Sequence, residues 1–263
     1  NCDAANLDKA VEAAMTQVES IRRLEDQGRL ALLPEKLQET ASLRLAHPED
    51  TLSQLAQRYD HVYAAVGFHP SDLEHFSPDS IDQLRVLAQE PKVVAIGEIG
   101  LDYYWEKDPA AHEVQKEALR LQMALAQELD LPVIFHDREA HGDSLAIVRE
   151  FPQVRGVFHC YSGSLEDAKT LIRLGWNLSF TGSVTYKNAK KLPEVAAWVP
   201  EDRFMIETDS PYLLPYPRVK GEKRNDSSKL PRIAAKIAAL RGLTEAEVER
   251  ITTENGKAFF RLP

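Results

Sequence analysis

The sequence is poor in cysteine, has no long apolar run and carries no excess of positive charge, and each absence removes a class of protein. Cys2 and Cys160 are the only thiols in 263 residues, too few for a disulfide framework, so a reducing, cytoplasmic setting is the expectation. No apolar stretch approaches the roughly 18 residues that a membrane span needs, and no signal peptide is recognisable, so no membrane partner is expected. Lys and Arg number 32 against 41 Asp and Glu, a formal net charge of −9, which argues against a broad electrostatic grip on nucleic acid. A phosphodiester substrate stays open, because divalent cations neutralise phosphate locally and themselves require an acidic site. A Gly-x-Gly-x-x-Gly turn is also missing, so no dinucleotide or other organic cofactor is indicated.

What is present divides near residue 60. Residues 1–60 contain no strand-like run and read as a helical N-terminal segment, with Leu7, Val11, Met15, Val18, Ile21 and Leu24 at helical spacing. A second helical stretch runs from Pro34 to Leu45, and a third resumes at Asp50. His47 is read as a solvated loop residue. Residues 61–263 read as one domain, in which short apolar runs alternate with amphipathic helices, the rhythm of βα units and a parallel sheet. The strands are predicted at Val62–Val66, Val93–Ile96, Val133–Phe135, Gly156–Phe158, Trp176–Phe180 and Phe204–Ile206. The helices are predicted at Pro78–Gln89, Pro109–Leu129, Asp143–Glu150, Leu165–Leu174, Ala189–Trp198, Pro231–Leu240 and Thr244–Phe260. Thr244 and Glu247 have the spacing of a capping box.

Five apolar runs end on residues that ligate metals: His69, Glu98, His136, His159 and Asp209. Chemistry delivered by many different strands suits a (β/α) barrel, whose active site collects at the C-terminal strand ends, better than a doubly wound sheet with one switch point. An α/β fold of TIM-barrel type is therefore expected. Mixed imidazoles and carboxylates suit Mg²⁺, Mn²⁺ or Zn²⁺, as one or two ions.

Val66-Gly-Phe-His-Pro70, Gly97-Glu-Ile-Gly-Leu-Asp102, Pro132-Val-Ile-Phe-His136, Phe158-His-Cys-Tyr-Ser-Gly163 and Glu207-Thr-Asp-Ser-Pro-Tyr-Leu213 together resemble the motif series of the TatD-type metal-dependent deoxyribonucleases. The resemblance covers roughly residues 61–260. It implies an amidohydrolase-like barrel, a divalent-metal site and hydrolysis of DNA phosphodiester bonds, often from a 3′ end, with a single strand or a strand end as the expected DNA partner. It also implies that Glu98 bridges two metals, that His136 and His159 ligate one of them, and that Asp209 ligates the other and orients the attacking water. His69 would lie beside the site and contact the substrate phosphate.

The family opens with a strand bearing Asp-x-His-x-His, and no His-x-His occurs here. The N-terminal part is therefore expected to be atypical or incomplete. The chain also begins at Asn1 rather than Met, which reads as a chain lacking its native N-terminus; divergence to a one-metal or inactive form is the alternative. At most one tightly held ion is then expected, on Glu98, His136 and His159. The family's Arg-Asn-Glu-Pro-like segment corresponds to Lys223-Arg-Asn-Asp226, in which Asn225 fits and its neighbours do not. Lys220, Lys223, Arg224 and Asn225 are the expected substrate-binding residues after the last strand, with Arg218 and a second basic group, Lys187, Lys190 and Lys191, beside them. Tyr103, Tyr104, Trp105 and Tyr161 are candidates to stack on unpaired bases. Two other readings stand against the nuclease: an amide or ester hydrolase on the same metal barrel, and an inactive barrel kept as a binding module.

Overall fold

A computed structural model of the chain describes residues 56–74 and 76–263. The helices predicted over Leu7–Glu25 and Pro34–Leu45, and His47, lie outside the described residues, as does the start of the helix at Asp50. The chain divides into two compact units, Asn1–Tyr63 and Ala64–Pro263. Of the first, residues 56–58 are helical, with Ala56 and Tyr59 buried.

The second unit contains six parallel strands: β1 (Ala64–Val66), β2 (Val93–Asp102), β3 (Val133–Arg138), β4 (Gly156–Phe158), β5 (Asn177–Phe180) and β6 (Phe204–Ile206). Their order in the sheet is their order in the chain. A doubly wound sheet reverses its strand order at a switch point, whereas a (β/α) barrel adds each strand beside the last. This unit follows the second rule, and the fold is α/β of TIM-barrel type. Among the described residues β1 and β6 are the two edges of the sheet.

Seven helices accompany the strands: α1 (Asp79–Leu87), α2 (Pro109–Leu129), α3 (His141–Glu150), α4 (Leu165–Arg173), α5 (Lys191–Trp198), α6 (Leu230–Arg241) and α7 (Glu245–Phe260). Local chemistry sets their ends. The Asp108 carboxylate accepts from the Ala110 N–H, and Pro109 opens α2 with a fixed φ. Ser164 with Asp167, and Thr244 with Glu247, form capping boxes at α4 and α7. Between helices and sheet the core is aromatic, with Phe135 stacked on Phe158 at 4.4 Å and Trp176 edge-on to both.

Both β2 and β3 run past their predicted ends, through Gly97, Glu98, Gly100 and Asp102 and through His136 to Arg138. Polar residues and glycines are poor strand formers alone, but here close approach of the two backbones decides. A Cβ on Gly97 would lie 2.6 Å from the Ile134 Cβ, and one on Gly100 would lie 1.9 Å from the His136 carbonyl oxygen. The glycines thus serve less to turn the chain than to let β2 pair with β3 beside the site, where Gly100 faces His136 in register.

Candidate metal centre

All five predicted residues come together at the C-terminal side of the sheet. Glu98 lies on β2 and His136 on β3, His159 directly follows β4, and His69 and Asp209 each stand three residues beyond the ends of β1 and β6. Two groups have ligand atoms within 4.8 Å of one another: His69, Glu98 and His136; and Glu98, His159 and Asp209. Glu98 belongs to both. His136 and His159, assigned to one ion by the motif resemblance, fall in different groups but face each other, with 3.3 Å between Nδ1 of His136 and Nε2 of His159. The same distance separates His159 Nε2 from a Glu98 oxygen. Two atoms on a tetrahedral ion at about 2.05 Å are themselves about 3.3 Å apart, so the donor spacing suits a shared cation.

The outer contacts set which lone pairs face inward. His136 Nε2 lies 3.0 Å from Asp102 Oδ2, which places the proton on Nε2 and leaves the Nδ1 lone pair toward His159. His159 Nδ1 lies 3.6 Å from Glu207 Oε2, an ion-pair separation that orients Nε2 toward Glu98. A carboxylate behind each imidazole is the usual outer support of a metal-bound histidine. His69 differs. Its Nδ1 accepts the Ser71 N–H at 3.1 Å, so its neutral ring carries the proton on Nε2, the atom 3.9 Å from Glu98. That nitrogen is a donor, which fits His69 to an anionic oxygen better than to a cation.

Asp102 and Glu207 are the functional residues that sequence reading left without a role. Asp102 is 1% exposed and also accepts from the Tyr104 and Trp105 N–H groups, while its own N–H reaches the Gln115 side chain. Glu207 accepts from the Cys160 N–H at 2.7 Å and from the Ser179 hydroxyl. A signal for both existed: each stands in the same motif as a predicted ligand, Asp102 four residues after Glu98 and Glu207 two before Asp209.

Charge and burial push the groups apart. Desolvation, reinforced by its histidine neighbours, lowers His136 to about 4 despite the pull of Asp102. His159 is also desolvated, yet Glu207, Glu98 and Asp209 together raise it to about 9. Burial holds His69 below the usual histidine range and Asp209 above the usual carboxylate range. A cation bound at His159 would take the place of its proton, since a metal-ligating imidazole must be neutral.

Of the predicted substrate-binding residues, Lys220, Lys223 and Arg224 are exposed on the segment after β6. Asn225 is 4% exposed, and its amide donates to the Thr208 and Leu213 carbonyls, fastening the turn that carries Asp209. The aromatic candidates separate as well. Tyr161 is buried with its hydroxyl on the Ser164 carbonyl, and Tyr103 stacks on His112 at 3.7 Å and donates to Asp143. Tyr104 and Trp105 are 40% and 69% exposed.

A barrel with imidazoles and carboxylates converging at its C-terminal strand ends defines a metal-dependent hydrolase. The sequence profile of the TatD related DNase family matches residues 6–261, and the chain belongs to that family. The match begins well ahead of residue 61, where the motif resemblance starts. The chain is similar to the uncharacterized metal-dependent hydrolase YabD of Bacillus subtilis, 44% identical over 211 residues, 80% of this chain and 81% of that one. It is 36% identical over 221 residues to the 3′-5′ ssDNA/RNA exonuclease TatD of Pantoea vagans, covering 80% and 84% of the two chains. Among solved structures, the TatD homolog YjjV of Escherichia coli K12 superposes with a TM-score of 0.73 at 33% identity, covering 81% and 82%. The chain is an enzyme that depends on metal. No helix among the described residues is long and apolar enough to cross a membrane.

Proposed function

We propose that this enzyme hydrolyses phosphodiester bonds of single-stranded DNA, removing nucleotides from a 3′ end. The observation that carries the reading is the inward-facing set of Glu98, His136 Nδ1 and His159 Nε2, with Asp209 sharing Glu98 and with a donor, His69, on the other side. Glu98, His136 and His159 would hold one divalent ion, and Glu98 with Asp209 would supply oxygens to a second. An ion there lowers the pKa of its water and offsets charge building on the phosphoryl oxygens. His69 Nε2–H would donate to a non-bridging phosphate oxygen and orient the phosphodiester. Asp209, whose burial raises its proton affinity, would accept a proton from the attacking water at a carboxylate oxygen. Asp102 and Glu207 keep the two imidazoles in the tautomers that face inward. Lys220, Lys223 and Arg224 would contact backbone phosphates away from the reacting bond, contacts that position a strand without reading its sequence. The named activity of the Pantoea vagans relative supports the direction and the single-stranded substrate, and makes RNA the second substrate to try.

The test is a 5′-labelled single strand of DNA, and the same sequence in RNA, incubated with the full chain and Mg²⁺, Mn²⁺ or Zn²⁺. A ladder shortening one nucleotide at a time, abolished by EDTA, is expected. No cleavage with any of the three ions, or internal cuts as the first products, would overturn the reading.

A further inference from the structure

Beside the metal centre lies a cavity of about 470 Å³ that the chemistry above does not use. Its walls come from the segment after His69, through Pro70, Leu73 and Glu74, from Trp105 and Glu106 beyond the end of β2, and from Val114 on α2. Gln115 lines it as well, and the same side chain accepts the Asp102 N–H at 2.9 Å and donates to the Asp102 carbonyl at 3.3 Å. The cavity is therefore contiguous with the residue that orients His136.

Its composition selects among the parts of a nucleotide. The lining mixes polar groups with apolar ones, Trp105 being its one aromatic, and its charged groups, Glu74 and Glu106, are both acidic, so a phosphate is repelled. A flat, uncharged ring is not. Trp105 is 69% exposed and Val114 48%, apolar area well placed to be covered by such a ring. The cationic side is separate: the Arg138 guanidinium lies 4.0 Å from the Tyr104 ring centre and 5.4 Å from that of Trp105. Tyr104 in turn meets Trp105 edge-on at 4.8 Å. Arg138 closes β3, two residues past His136. One edge of the aromatic pair thus faces a cation near the reacting centre, and the other borders an acidic recess.

We propose that this recess is a nucleobase subsite: Trp105 stacks on an unpaired base of the strand being shortened, while Arg138 holds the adjoining backbone phosphate. The inference rests on the nuclease reading and adds to it a reason for single strands, since in a duplex every base inside the terminal pair has both faces covered by stacking. Trp105 is a binding residue here, not a catalytic one.

The test uses the full chain and a fluorescein-labelled ten-nucleotide single strand whose 3′ linkages are phosphorothioates. A second strand is identical except that its last three nucleotides are abasic. Wild type is expected to bind the intact strand about tenfold tighter than the abasic one, the scale of a single base–aromatic stack. Trp105→Ala should bring that ratio to about one, and Trp105→Phe should keep most of it; melting curves check that both variants fold. Equal binding of the two strands by wild type, or a tenfold preference surviving in Trp105→Ala, would overturn the subsite and leave the nuclease reading standing. Failure of wild type to bind either strand would overturn both.

Discussion

Glu222 and Glu98 are acidic groups on segments that serve the same end of the sheet, and the protein treats them in opposite ways. The Glu222 side chain is 10% exposed and fully furnished with cations: Arg232 clasps it with two hydrogen bonds of 2.7 Å and Lys229 lies 3.7 Å away, while the Val219 N–H donates a third hydrogen bond at 2.9 Å. Its carboxyl is held down to about 2. Around Glu98 stand His69, His159 and, through His159, Glu207 and Asp209. Among the described residues none of these three carboxylates accepts a hydrogen bond from a lysine or arginine. A buried charge must be paired. Where the pairing is built from an arginine and a lysine, the carboxylate is structural; where it rests on an imidazole such as His159, whose proton a metal ion can replace, the carboxylates can form a site.

The sharpest break in that contrast is Glu98→Gln, which removes the charge common to both ligand groups and replaces one carboxylate oxygen with an amide nitrogen. Metal per chain, measured by elemental analysis after dialysis, should fall to a trace, and hydrolysis should drop by about 10³-fold or more. Folding should survive, because the carboxylate is 41% exposed. Unchanged metal content would put Glu98 among the structural acids. Glu222→Gln should do the reverse, costing about 3 kcal/mol in urea unfolding at pH 7, since it leaves Arg232 unpaired, while metal content stays at the wild-type level. Its pH signature follows from sign. A carboxylate depressed when folded stabilises above its unfolded value near 4.5, and that stability is lost as pH falls through about 2. The gap between wild type and Glu222→Gln should therefore close on acidification, and a gap that widened instead would break the assignment.

A smaller effect separates support from ligation. Asp102→Asn keeps the shape of the contact to His136 but removes its charge, and should weaken metal binding or activity about 10–100-fold. A loss as large as that of Glu98→Gln would mean that Asp102 is itself a ligand. Smallest is the joint replacement of Lys220, Lys223 and Arg224 by alanine. It should lower the slope of log affinity against log salt by about 2 for a single strand if all three touch phosphate, with cleavage of bound strand continuing at its former rate. An unchanged slope would return them to plain surface charge.

The motif spacing carried the fold and the list of strand-end residues a long way, because a buried parallel strand must be apolar and its end must be where the backbone meets solvent and chemistry. All six strands and all seven helices were legible from residue 61 onward, and so was the capping box of Thr244 and Glu247. Their lengths were not. The second strand is predicted to stop at Ile96, and the 1.9 Å that a Cβ on Gly100 would leave to the His136 carbonyl shows how closely the two backbones pair beyond that point.

Sequence alone determined that imidazoles and carboxylates would converge at one end of a parallel sheet, since residue type and strand periodicity are local properties. Tertiary structure decided how they pair. The lone pair a histidine presents depends on what holds its other nitrogen: Asp102 for His136, Glu207 for His159, the Ser71 N–H for His69. Those partners come from different strands or from a turn whose path only the folded chain defines. The same holds for Asn225, which reads as a substrate ligand until the Thr208 and Leu213 carbonyls are seen to consume its amide. It holds too for the four aromatics after β2 and β4, of which folding buried or engaged two and left Tyr104 and Trp105 at the surface. Composition fixes what a side chain can do, and distance to the rest of the chain selects which of those things it does.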